Sequence, residues 1–168
     1  MKAVLSSVYC GSIEYYSVLN NAEEVLIDSH EHYAKQTYRN RCEIYGANGK
    51  LNLTIPLVRR GKRVAVHDAQ IENDFGWRKL HWRSIESAYR SSPYFEFYEH
   101  HFIPIFEKEH THLFQLNQEI QNKISKRITF ELSKYLKFIS DSLMKLLSIN
   151  VRNVKKPIDK VIINNKII

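Results

Sequence analysis

The chain has 168 residues, 43% hydrophobic and 26% charged, with 5 Gly and 4 Pro. That suffices for one domain with a real core, is too short for two comfortable ones, and excludes extensive disorder. The formal net charge of +7 is unevenly held: Met1 to Gln121 carries 14 Lys/Arg against 15 Asp/Glu, or −1, and Asn122 to Ile168 carries 11 against 3, or +8. This argues against a nucleic-acid-binding domain and for a basic tail or helix face. No apolar run is long enough to span a bilayer, and the first residues are too short a run for a secretory signal, so a cytoplasmic location is expected. Cys10 and Cys42, with no CxxC spacing, fit unpaired thiols in a reducing compartment.

In chain order, Lys2 to Tyr9 reads as a buried first strand. Ser12 suits the cap of a short helix with Tyr16 and Leu19 inward, and Glu24 to Asp28 reads as a second strand. Strand, helix and strand at this spacing predict a βαβ unit whose strand ends, Tyr9–Ser12 and Asp28–His30, converge on one crevice. Cys42 to Tyr45 and Leu51 to Ile55 alternate around Gly46, Asn48 and Gly49, a hairpin signal that Pro56 terminates. Arg59 to Arg63 is a charged turn, and Val64 to Ile71 alternates as a further strand.

From Phe75 the period becomes helical. Trp77, Leu80, His81, Ile85, Ala88 and Tyr89 share spacing after a capping Asp74, and Ser91-Ser92-Pro93 stops that helix. Tyr94 to Phe102 predicts a second helix, and Pro104 opens a third through Leu113. Leu116 to Leu147 carries an apolar stripe from Ile120 to Leu147 with Lys123, Arg127, Lys134 and Lys145 largely off it. Beyond Ile149 the helical period ends. The expected architecture is α/β: a small mixed sheet with a hairpin in the N-terminal half, and helices in the C-terminal half, one long and amphipathic. Residues 1–150 form one domain and 151–168 an irregular basic tail.

Gln36, Arg39, Asn40 and Arg41 gather guanidinium forks and amides just ahead of the hairpin. Held on rigid backbone, such groups suit carboxylate, phosphate or sugar. The structural alternative is ion pairing to Glu43, Glu31 or Asp28. His81, four residues after Trp77 on the same helix face, is either a general base or a half-buried residue bonded to a carbonyl. His30 and His32 would share a strand face, but a third and fourth ligand would have to be brought by folding from His67, His81 or Asp28, so no metal is expected. For His100, His101, His110 and His112 a solvated face is the expected reading. Cys10, at a strand end, is either a nucleophile beside His30 or a small buried hydrophobe. GxSxG, Walker and GxGxxG motifs are absent, which argues against nucleotide-hydrolysing and dinucleotide enzymes, and no cofactor is expected.

The segments QTYRNRCEI, the Asn-Gly turn, LTIPL and HWRSIESAYRSSPYFEFY resemble, in order, the WbqC-like family of bacterial surface-polysaccharide gene clusters. The resemblance spans Val4 to about Leu113; the family's C-terminal SILDLLF-like pattern has no counterpart here. It implies an aminoacyl (glycine) or acyl transferase acting on an amino sugar in O-antigen or lipopolysaccharide synthesis. Under it, Gln36, Arg39, Asn40 and Arg41 hold a sugar or nucleotide-sugar substrate, His81 removes a proton, and Tyr9 and Tyr89 shape the pocket. The alternative is a non-catalytic binding or scaffold protein of the same system, touching the membrane through the basic helix. The oligomeric state is not legible.

Overall fold

The computed structural model describes residues 2–58, 64–129, 162–163 and 166–167. The expected charged turn at 59–63, the helix beyond 129 and most of the tail lie outside the described residues. Strand β1 (Lys2–Ser6), helix α1 (Ile13–Asn21) and strand β2 (Glu24–Asp28) form the expected βαβ unit, the strands parallel from Lys2↔Glu24 to Ser6↔Asp28. In β2, Val25 and Ile27 are buried while Leu26 and Asp28 are exposed, so only one face of the pair packs inward. Ser12 caps α1 as its type predicts, its Oγ accepting from the Tyr15 amide at 3.4 Å. The turn before it is tight: Cys10 sits at φ 49°, and a Cβ on Gly11 would stand 2.8 Å from Tyr15 Cδ1.

Strands β3 (Arg41–Gly46) and β4 (Gly49–Thr54) make the expected hairpin, paired from Arg41↔Thr54 to Gly46↔Gly49. Of the Asn-Gly pair, Gly49 alone takes a left-handed φ, at +100°. Cys42 and Leu53 are cross-strand partners and both are buried, which pins the register. The expected strand at Val64–Ile71 is absent. Instead a 3₁₀ turn at Val66–Asp68 sits among isolated bridges: His32↔Ala65, Leu57↔Ile71 and Gln70↔His112. The physical reason is that its backbone donors find several partners. Val66 N–H donates to Glu31 O (2.9 Å), His67 N–H to Ser29 O (3.1 Å) and Ile71 N–H to Thr111 O (2.9 Å). No single neighbouring strand captures it.

Helix α2 spans Trp77–Tyr89 and ends ahead of Pro93 as expected. Its cap is Gly76 in left-handed conformation (φ 60°), not Asp74, and no side chain bonds there. Helix α3 is one element, Phe95–Glu107, running through Pro104 without the expected break. Proline removes one amide donor near the helix end, while Ile105 and Phe106, buried just beyond it, hold the last turn in place. The long helix α4 runs over 113–129, starting earlier than expected. Leu113, Leu116 and Ile120 are fully buried and meet Tyr9, Leu53, Ile55, Trp77 and Ile105 in the main core. A second cluster of Val25, Ile27, Val66 and Phe114 lies under the βαβ unit, and Tyr33 packs against both. In the tail, β5 (Ile162–Ile163) pairs antiparallel with β6 (Lys166–Ile167). No helix among the described residues is long and apolar enough to cross a membrane.

Asn117 joins these layers. Buried on α4, it donates through Nδ2 to Ser7 Oγ (3.1 Å) and to the Arg39 carbonyl (2.8 Å), tying the end of β1 to the segment before the hairpin. Asn117→Ala strands both acceptors in a dry interior and is expected to cost about 2 kcal/mol, read from urea unfolding.

Candidate functional site

His81 and Tyr9 meet at the centre of the molecule. Tyr9 Oη lies 2.9 Å from His81 Nδ1, and their side chains are 0% and 2% exposed. Trp77 closes the ring edge-on at 5.2 Å between centroids, and the Thr54 carbonyl lies beside the imidazole. Burial lowers the His81 pKa to about 4, although the Thr54 carbonyl pulls the other way. The ring is therefore neutral at physiological pH. It accepts the Tyr9 hydroxyl proton at Nδ1, which leaves Nε2–H for the carbonyl. A general base has to be reached by the proton it removes. His81 is reached only by protein, so the geometry gives it the structural one of its two readings.

The guanidinium-and-amide cluster divides in the same way. Arg39 reaches Glu31 with both arms of its fork, Nε to Oε1 at 3.0 Å and Nη2 to Oε2. Ser6 Oγ adds a donor to Glu31 Oε2 at 2.9 Å, and the two charged side chains are only 17% and 16% exposed. Asn40 is buried, its Nδ2 donating to Ile55 O at 2.8 Å while Ile55 N–H donates to Asn40 O at 2.7 Å. Both side chains are occupied in holding the hairpin base. Arg41 differs. One Nη2 arm meets the carbonyl of Gln36, an exposed residue held at φ 59°, and among the described residues Arg41 has no carboxylate partner. Tyr33 stands close by: burial pushes its hydroxyl pKa up while the Arg39 and Arg41 charges pull it back. Within the cluster, Gln36 is thus exposed and Arg41 half-buried, with the half-buried Tyr33 beside them.

Tyr89 lies elsewhere. With Trp82 and Ile85 of α2, Phe95 and Phe102 of α3, and Cys10 at the floor, it lines an aromatic cavity of about 370 Å³. Sequence periodicity marks these residues as a helix face but does not reveal a hollow between two such faces. For Cys10 the surroundings favour the reading as a small hydrophobe. The Cys42 thiol beside it and burial hold its own thiol well above the usual range, so it stays protonated.

The histidines part company too. His30 lies against His67 (5.2 Å between centroids), while the backbone of His32 bridges to Ala65. Among the described residues no group of three or more His, Cys, Asp or Glu is placed to hold a metal ion. The solvated reading of His110 is overturned: its side chain is buried and its Nε2 pairs with Glu119 Oε2 at 3.0 Å. On α4, Lys123 donates to the His101 carbonyl (2.8 Å) and Arg127 meets His101 Nε2, so these two basic groups bind α3.

The profile of the WbqC-like protein family matches residues 7–158, which includes β3, the hairpin turn, α2, α3 and all of the groups just described except Ser6. The chain belongs to the WbqC-like protein family. Uncharacterized protein Rv1507c of Mycobacterium tuberculosis is 28% identical over 124 residues, 73% of this chain and 53% of that protein. The chain therefore spans about half the length of that relative. No solved structure matches it. In this WbqC-like chain the family-resembling stretch QTYRNRCEI supplies Asn40 and Arg39 to the scaffold and Arg41 to the surface.

Two measurements check these assignments. The unfolded imidazole takes its proton near pH 6.5 and the folded one only near about 4. The stability that neutral His81 contributes is thus whole above pH 6.5 and lost as pH falls towards 4, about 3 kcal/mol over that window. Urea melts of wild type and His81→Phe near pH 7 and near pH 4 should show that much less acid sensitivity in the variant. For the ion pair, Arg39→Ala is expected to cost about 2 kcal/mol. A double-mutant cycle with Glu31→Ala should return a coupling of about 1 kcal/mol or more, above the usual value for an exposed pair.

Proposed function

We propose that this WbqC-like chain serves bacterial surface-polysaccharide synthesis by binding an anionic sugar intermediate, and that the aminoacyl or acyl transfer to an amino sugar is completed with a partner enzyme. The observation that carries this reading is the split within the basic cluster. Arg39 and Asn40 are spent on internal bonds, whereas Arg41 presents donors at the surface beside Tyr33 and Gln36. A guanidinium with a neighbouring phenol suits the phosphate of a nucleotide sugar or a sugar carboxylate. His81 supports binding rather than acid–base chemistry, because its pKa of about 4 and complete enclosure remove it from proton transfer. Membership in the family supports the polysaccharide setting.

Thermal-shift titration with nucleotide-linked amino sugars, with inorganic phosphate as control, tests the reading. Ligand at about ten times its dissociation constant adds about 1.4 kcal/mol and should raise Tm by about 3–5 °C. Arg41→Ala should abolish that shift with little change in the ligand-free Tm, and Arg39→Ala should lower the ligand-free Tm yet keep the shift. A shift that survives Arg41→Ala removes the proposed site.

A further inference from the structure

The hairpin turns one face inward and leaves the other to water. Cys42, Ile44 and Leu53 pack into the core. Alternation then puts Arg41, Glu43 and Tyr45 of β3 on the opposite face, with their partners Thr54, Asn52 and Lys50 of β4. Tyr45 is 71% exposed, and Tyr38, in the segment that leads into β3, is 59% exposed. Both phenols lie near enough to Lys50 to act on its charge, so two rings and an ammonium share one end of the ribbon. Lys50 is bonded to Glu43 at 2.6 Å, which balances both charges. Asn52 and Thr54, exposed beside them, add an amide and a hydroxyl.

Charge and length narrow the ligand. With Glu43 and Lys50 paired, the cation of this face that meets no carboxylate among the described residues is Arg41, bonded to the Gln36 carbonyl. One such cation is too few for a nucleic-acid backbone or an anionic bilayer, which are held by several. A protein partner needs a dense apolar centre, whereas this face offers phenols, an amide and no large aliphatic side chain. A saccharide meets what is there. It brings an apolar ring face for a tyrosine, hydroxyls for the amide and the Glu43–Lys50 pair, and an acid group for the guanidinium. From Arg41 to Tyr45 an antiparallel strand covers about 13 Å, which a single sugar ring does not span.

We propose that the outer face of the hairpin is an extended subsite for an acidic oligosaccharide, its acid group at Arg41 and a farther sugar ring against Tyr45 and Tyr38. The proposal rests on the Arg41 reading above and deepens it: the guanidinium anchors one end of the saccharide, and the tyrosines select for length. The occupant is therefore a sugar chain rather than a single sugar.

Galacturonic acid and its di-, tri- and tetrasaccharides are titrated into the full chain by calorimetry, with maltotetraose as the uncharged control. The trisaccharide is expected to bind about ten-fold more tightly than the monosaccharide, the scale of one added aromatic contact. Tyr45→Ala, at an exposed position, should remove that gain and leave the monosaccharide affinity as it was. Tyr45→Phe keeps the ring and should keep the gain. Arg41→Ala should weaken every length. Equal affinity across the series, a gain that survives Tyr45→Ala, or maltotetraose binding as tightly as the acidic tetrasaccharide each overturns the proposal. In those cases loss of binding in Arg41→Ala leaves the Arg41 site standing, and retained binding removes that site as well. Absence of binding by all four acids also overturns the extended subsite, and the thermal shift with nucleotide-linked amino sugars then decides the Arg41 site alone.

Discussion

The contact between Tyr9 and His81 is the one on which the other layers depend. It joins the segment after the first strand to α2, with the Tyr9 hydroxyl bonded to His81 Nδ1 in a place water does not reach. Tyr9 also donates its amide to the Tyr38 carbonyl at 2.9 Å, so the same residue holds the segment that leads into the hairpin. Next to it, Cys10 turns through a left-handed φ to become the floor of the aromatic cavity. One residue thus fixes the relative positions of the βαβ unit, the hairpin base and the helix pair.

Residues that look catalytic in a one-dimensional reading are largely consumed in that construction. A neutral buried histidine, a carboxylate gripped by both arms of an arginine and two asparagines aimed at backbone carbonyls are costly to bury. They are tolerated because each has at least one partner of fitting geometry, although Asn117 Oδ1 has none among the described residues. Their number reflects how irregular the backbone is between Asp28 and Arg41, where no strand supplies bonds and side chains have to. Asp28 begins this, its carboxylate accepting from the His30 and Glu31 amides at 2.9 and 3.1 Å.

The groups left over for ligands fall into two unlike environments. Arg41 with Tyr33 and Gln36 offers charge and hydrogen-bond donors near water, whereas the α2–α3 hollow offers rings and almost no polar partner. No metal cluster is placed among the described residues.

Much of the fold was legible before any coordinates. Period-two and helical patterning, Ser12, the Asn-Gly turn and Pro93 are local signals, and each is satisfied within a few residues of itself. The local signals failed where a neighbour far along the chain decided: Val64–Ile71 gave up its strand to bonds its amides donate to the Ser29, Glu31 and Thr111 carbonyls, and Pro104 stayed helical because Phe106 is buried in the core. The residue types of the candidate site were visible in QTYRNRCEI, as was the possibility that its arginines pair internally. Which arginine points inward was not, because that depends on Glu31 and Ser6 arriving beside Arg39 from other elements. The sequence by itself determined the elements and the inventory of charged and aromatic groups. Only the tertiary structure decided which of those groups are sealed and which remain open, since burial and hollow space are properties of packed surfaces and not of the chain.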